Sequence, residues 1–203
     1  MNKEQLLKEI LADPEKFYNK QELKLLRLKL KREATRGGMA SFIKKIPIYD
    51  KDRDFVFTDG SCINNGKKNA YGGYGIFFSK NNVKNVSQRM KGKVTNNKAE
   101  LTAILESLKL MTPESKYYIV TDSDYSINCV TKWYRGWEKN GWKNKKGDPI
   151  KNPELIQPII ELLKALNVKF IHVNSHLPKP DDKSSMEYKL WYGNDKADEL
   201  AVG

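Results

Sequence analysis

Cysteine is scarce in this sequence: Cys62 and Cys129 are the two among 203 residues. Two cysteines make no disulfide framework, which excludes the small stapled secreted folds and suits a reducing compartment. Histidine is equally scarce, with His172 and His176 alone. No apolar run approaches the roughly 18 residues that a membrane span needs, and the amino terminus has no secretory apolar segment. The sequence therefore predicts no membrane partner, and an intracellular setting in cytoplasm or nucleus. Negative charge is also in deficit, with 25 Asp and Glu against 37 Lys and Arg for a net +12. Such an excess points to a polyanionic partner, nucleic acid before membrane. The plainer reading is that a surface rich in Lys and Asn reflects composition bias alone.

What is present divides near residue 52. Residues 1–52 read as a basic helical extension and linker of unknown role. Asn2–Leu11 resembles a short helix, and Asn19 with Glu22 forms a capping box for a longer one that Gly37-Gly38 ends. Lys24, Arg27, Lys29, Lys31, Arg32 and Arg36 make that helix basic, whether to grip phosphate, to dock on the main domain, or as a solvated face. Phe42, Ile43 and Ile46 form an apolar clasp in the linker.

Residues 53–203 read as an α/β domain with the order βββαβααβα, a mixed five-stranded sheet flanked by helices. Two stretches organise it: Phe55-Val56-Phe57-Thr58-Asp59-Gly60-Ser61 and Tyr117-Tyr118-Ile119-Val120-Thr121-Asp122-Ser123. Each is a short apolar, β-branched and aromatic run that ends in Thr-Asp, the pattern of a buried strand. Lying parallel, they place Asp59 and Asp122 in the crevice at the carboxyl ends of the strands, where open α/β sheets carry out their chemistry. Like charges so close need a cation between them. Helices are predicted over 96–110, 123–133 and 152–165, with a Gly/Lys/Trp-rich excursion over 134–151. A polar stretch over 177–193 then leads to a short last helix over 194–201. Gly72, Gly73 and Gly75 in the second strand predict a close backbone approach or a bulge.

Glu100 stands at the start of the core-facing stripe of its helix, four and eight residues before Ile104 and Leu108. An unpaired charge there is costly. Asp198 shares a helix face with Ala197 and Ala201 in the same way. An all-carboxylate cluster without cysteine or clustered histidine favours a hard ion, Mg²⁺ rather than Zn²⁺.

Thr58-Asp59-Gly60-Ser61, Thr95-Asn96-Asn97-Lys98-Ala99-Glu100-Leu101, Thr121-Asp122-Ser123 and Gly193-Asn194-x-x-Ala197-Asp198-x-Leu200-Ala201 resemble, in order, the four motifs of type 1 ribonuclease H. The resemblance covers about 54–201, with a longer gap than the family shows between His176 and Asp198. It implies a ribonuclease H-like fold and cleavage of the RNA strand of an RNA/DNA hybrid. Two Mg²⁺ ions, or Mn²⁺ in their place, would act, leaving 3′-hydroxyl and 5′-phosphate ends. It further implies Asp59, Glu100, Asp122 and Asp198 as metal-binding and catalytic residues, with Asp59 bridging both ions and Glu100 near the 2′-hydroxyl. His176 matches the family histidine of proton transfer or product release, against a structural reading of the same residue.

The resemblance also implies substrate contacts. Lys93, Thr95 and Asn152 match a phosphate pocket for the DNA strand, and Asn96 and Asn97 would read the minor groove and ribose hydroxyls. Ser61 follows the first aspartate and is placed with them. Residues 131–151 resemble the family's basic protrusion, with seven Lys or Arg against two acids and three tryptophans interleaved. Lys143 there would hold phosphate, Trp133 would line the DNA channel, and Trp137 and Trp142 would be local core. The 177–193 segment is read as a flap over the hybrid or an inert insertion. Competing readings are a non-catalytic hybrid-binding module and a DNA-acting nuclease of the same fold. A free-standing monomer without a protein partner is expected, rather than a domain of a reverse transcriptase.

Overall fold

The computed structural model of the chain describes residues 49–175 and 178–203. The helices, basic face and clasp expected over 1–48 lie outside the described residues, as does His176. Lys51–Lys179 and Leu190–Gly203 form one compact unit, and Pro180–Lys189 fall outside it. No helix among the described residues is long and apolar enough to cross a membrane.

The five strands are β1 (Arg53–Ile63), β2 (Tyr71–Phe77), β3 (Val86–Arg89), β4 (Lys116–Thr121) and β5 (Asn167–His172). They form one mixed sheet in the order β3-β2-β1-β4-β5. β1 pairs antiparallel with β2 and parallel with β4, and β4 pairs parallel with β5. This is the mixed sheet expected from the sequence, and the two Thr-Asp stretches are its central neighbours. Their apolar runs are near-continuous rather than alternating because both faces of these strands are buried, Val56 and Ile119 on one and Phe57 and Val120 on the other.

α1 (Asn96–Lys109) crosses β1 and carries Leu101, Ile104, Leu105 and Leu108 into the core with Val56, Ile76 and Ile119. Thr95 caps it, its Oγ1 accepting the Lys98 amide at 3.3 Å. α4 (Pro153–Ala165) closes the same core with Ile156, Ile159 and Ile160. The predicted close approach at the second-strand glycines is present on the opposite face. A Cβ on Gly75 would fall on the Ala197 carbonyl, and one on Gly73 on the Ala201 carbonyl.

Two helix boundaries differ from the sequence reading. The helix expected to stop at 133 continues as α2 (Asp124–Asn128), a π-helical turn (Cys129–Trp133) and α3 (Tyr134–Lys139). Gly136 weakens this stretch by about 1 kcal/mol relative to alanine. Tyr134 and Trp137 pack on the core and outweigh it. Trp137 and Trp142 are thus local core, as expected, and the excursion proper begins at Asn140.

The second difference is the last helix, expected as 194–201. It is α5, Met186–Val202, seventeen residues long. Gly193 ends the expected polar stretch yet sits inside this helix. In the fold its missing side chain is where the Phe57 ring lies, so packing overrides propensity. At the other end, Ser185 accepts the Tyr188 amide through Oγ at 3.0 Å, a capping bond. Much of the expected flap or insertion over 177–193 is therefore helix.

Two glycine substitutions test this packing. Gly75→Ala drives a methyl into the Ala197 carbonyl and should cost about 1–3 kcal/mol in urea unfolding. Gly136→Ala meets nothing within 4 Å and should add up to about 1 kcal/mol. An unchanged midpoint for Gly75→Ala would show that α5 does not lie on β2 as described.

Candidate active site

β1 and β4 run level, with Phe57 beside Val120 in parallel register, so Asp59, midway along β1 where its pairing with β4 stops, stands next to Asp122, which directly follows β4. The third acid arrives from the helix above. A Cβ on Gly60 would coincide with the backbone of Ala99 and Glu100, so only glycine lets α1 sit this low. Asp59, Glu100 and Asp122 each present a carboxylate oxygen, all within 4.8 Å of one another. Asp59 and Glu100 are 6% and 9% exposed, and Asp122 is half-buried.

The energetics of this arrangement are unfavourable for three anions. Burial pushes the Asp59 carboxyl from 3.8 up to about 7, reinforced by Asp122 and Asp198 and opposed by the Gly60 amide. Burial likewise holds Glu100 well above the ordinary glutamate range, with Asp59, Asp122 and Asp198 adding to it. Glu100 Oε2 is buried and has no hydrogen-bond partner. A buried acceptor without a donor, facing two more carboxylates, has the chemistry of a site for a hard cation with oxygen ligands. The donor set thus fits a divalent metal ion.

The remaining predicted residues take different positions. Asp198 does not share the buried face of Ala197 and Ala201 expected from the sequence. Ala197 and Ala201 are buried, while Asp198, one residue further round α5, is exposed. Its charge nevertheless reaches both buried acids. Ser61 is half-buried on β1, opposite Gly73. Asn96 and Asn97 are exposed in the first turn of α1, and the Asn65 side chain accepts the Asn96 amide at 3.4 Å. Lys93 is exposed in the preceding loop, and Thr95 is the α1 cap. Asn152 takes a left-handed conformation (φ 57°) ahead of α4.

In the excursion, Trp133 is 43% exposed, its ring 5.9 Å from those of both Tyr125 and Trp137. Lys143 is exposed on a loop that bridges back to Pro149 and is closed by Asn144, whose Oδ1 accepts the Lys146 and Asp148 amides. His172, which no motif marked, places Nε2 3.1 Å from the Asp122 carbonyl. The register that pairs it with Thr121 could be seen only in the sheet.

Fold and site together define an α/β protein with a buried carboxylate cluster, fit for a metal ion, beside two central parallel strands. The chain belongs to the RNase H family, whose sequence model, described as RNase H, matches residues 51–203. Ribonuclease H of Clostridium botulinum (strain Hall) is 37% identical over 147 residues, 72% of this chain and 91% of that protein. Mouse Ribonuclease H1 is 32% identical over 148 residues, 72% of this chain and 48% of that protein. The chain thus spans about half the length of this mammalian relative. Among solved structures, the PFV RNase H domain in solution is 26% identical with a TM-score of 0.55, covering 73% of this chain and 92% of that one. A foamy viral protease-reverse transcriptase in complex with RNA/DNA hybrid shares the fold at 22% identity, with a TM-score of 0.56, covering 78% of this chain and 22% of that one.

The raised acid has a consequence for stability. Asp59 keeps its proton in the folded chain up to about pH 7, whereas in the unfolded chain it ionises near pH 4. Its contribution is complete below about pH 4 and lost as pH rises through the folded value. In a chelator, wild-type protein should therefore lose several degrees of melting temperature relative to Asp59→Asn between pH 4 and pH 8. Added Mg²⁺ should restore the wild type alone. A difference that stays flat with pH would mean that Asp59 is ionised in the metal-free fold.

Proposed function

We propose that this chain is a hybrid-specific endoribonuclease, hydrolysing the RNA strand of RNA/DNA duplexes at a centre of two Mg²⁺ ions, with Mn²⁺ able to substitute. The products are 3′-hydroxyl and 5′-phosphate ends. The observation that carries this reading is the convergence of Asp59, Glu100 and Asp122 within 4.8 Å, with Glu100 Oε2 buried and unpartnered. A non-catalytic binding module has no use for so unfavourable a cluster.

What the ions supply when bound is a lowered pKa for the attacking water and neutralised charge on the leaving 3′ oxygen. Asp59, midway along β1, would hold the ions together with Asp122, Asp198 and Glu100. Because Asp59 is protonated to about pH 7 in the metal-free fold, loading the site releases protons and strengthens with pH. His176 assists proton transfer or product release.

Selection of the substrate falls to neutral and basic groups around the acids. Asn96 and Asn97, exposed at the start of α1, offer amides to base edges and 2′-hydroxyls in the minor groove, where RNA differs from DNA. The Thr95 hydroxyl already accepts the Lys98 amide, which leaves its proton to donate to a phosphate. Lys93 and Asn152 stand with it on the DNA strand, and Ser61 lies beside the first aspartate. Lys143 meets DNA phosphates from the closed basic loop, and Trp133 offers its exposed ring to the same strand. The enzyme works as a monomer in a reducing compartment, where Cys62 and Cys129 remain free thiols.

Matched RNA/DNA, RNA/RNA and DNA/DNA duplexes test the proposal. In Mg²⁺ only the RNA of the hybrid should be cut. Inertness towards the hybrid in both Mg²⁺ and Mn²⁺ would refute catalysis, and cutting of all three duplexes would refute the specificity. Asp122→Asn should abolish cleavage while leaving hybrid binding largely intact, so brisk cleavage by this variant would remove Asp122 from the metal set. Neutralising Lys143, Lys145 and Lys146 together should flatten the salt dependence of hybrid binding. The log-log slope should fall by about 0.9 for each phosphate that the loop no longer neutralises. An unaltered slope would make those lysines solvating only.

A further inference from the structure

The end of β4 is tied down by more bonds than a strand end requires. Thr121 Oγ1 accepts the Ser123 amide at 3.1 Å, and the Thr121 carbonyl accepts the Val173 amide at 3.1 Å. The Asp122 carbonyl accepts the Asp124 amide at 3.1 Å, and His172 Nε2 lies 3.1 Å from the same oxygen. A carbonyl can only accept, so the last contact requires the Nε2–H form of the ring. The bonds bracket Asp122 from both neighbours. They set the torsions of the residue whose carboxylate completes the 4.8 Å cluster.

His172 is the last residue of the edge strand β5 and sits beside Thr121 in parallel register. Its strand-mates two and four residues earlier, Phe170 and Val168, pack on the core. The residue is therefore anchored by a packed strand although its side chain is exposed. Nothing in the strand itself calls for a histidine here. A solvated strand end is served equally well by lysine or asparagine, and β5 already exposes Asn167 and Lys169.

We infer that His172 is a positioning residue for the metal centre: through Nε2–H it fixes the Asp122 carbonyl, and thereby the direction in which the Asp122 carboxylate meets the ion. It touches neither substrate nor metal and acts only through the backbone of Asp122. The inference rests on the reading of Asp122 as a metal ligand, and it adds a residue that lies outside all four acidic motifs. Removing a group that orients a metal ligand from behind typically costs about 10–100-fold in metal affinity.

The test compares wild type, His172→Gln and His172→Phe in the full chain. Glutamine keeps a donor at similar reach, and phenylalanine keeps the ring without the donor. Isothermal titration with Mn²⁺, in the absence of nucleic acid, should show about tenfold weaker binding for His172→Phe. His172→Gln should stay within about threefold of wild type. Melting temperatures in chelator should be alike for all three, because the side chain is exposed. A long-range ¹H–¹⁵N spectrum should show the Nε2–H tautomer for His172. Equal Mn²⁺ affinity in wild type and His172→Phe, or the Nδ1–H tautomer, would overturn the inference. So would equal losses in the Gln and Phe variants. Failure of the wild type to bind Mn²⁺ would instead refute the metal centre itself, so the two failures are distinct.

Discussion

Carboxylates repel each other, and burial makes each of them harder to ionise. The described fold nevertheless brings Asp59, Glu100 and Asp122 within 4.8 Å and leaves Asp59 and Glu100 almost without solvent. Desolvation of this kind is tolerated only where a proton or a cation replaces the lost water. The cluster therefore holds Asp59 and Glu100 towards their protonated forms. Most other features near it serve to stop the acids from moving apart. The parallel β1–β4 register sets the spacing of the two aspartates. The bonds around Asp122 fix its backbone.

Glycine does the complementary work. Gly60 lets the first turn of α1 descend onto β1, which is what brings Glu100 to the strand ends. On the opposite face Gly73 and Gly75 admit the α5 backbone, and Gly193 admits the Phe57 ring. Asp198 is thereby held at the rim, exposed yet near enough to raise the pKa of both buried acids. These glycines are close-approach positions rather than turns, so their effect is on the placement of helices and, through that, on charge spacing. Local stability and the spacing of the acids thus depend on the same packing.

The proposed nucleic-acid face is built differently. The excursion loop is ordered by its own polar bonds, with Asn144 closing the backbone over Lys146 and Asp148 while the lysines stay exposed. Its base is apolar, where Trp137 and Trp142 join the core and leave Trp133 exposed. Such a loop presents charge at a defined place without burying any of it. Phosphate binding asks for no more, since it is electrostatic and insensitive to sequence.

Much of this is legible in one dimension. The apolar runs ending in Thr-Asp mark the two central strands, because buried parallel strands carry continuous rather than alternating hydrophobicity. The position of Glu100 on its apolar stripe marks it as an acid in need of a cation, since helical periodicity is local and survives in the sequence. Net charge and the Lys/Trp excursion point to a polyanionic partner for the same reason: composition needs no fold to be read. Helix ends are not legible where packing overrides propensity. Gly136 and Gly193 lie outside the helices expected from the sequence, yet both sit inside helices, because the packing that holds them there lies outside any local window. The exposure of Asp198 against the burial of Ala197 depends on how α5 is rolled over β2, which is a property of two elements and not of either alone. The bond from His172 to the Asp122 carbonyl joins residues fifty apart. The sequence by itself determined which residue types were available for metal and phosphate, because chemistry belongs to the side chain. Tertiary structure alone decided which of them converge and how far their pKa values shift, because distance and desolvation exist only once the strands are paired and the helices laid upon them.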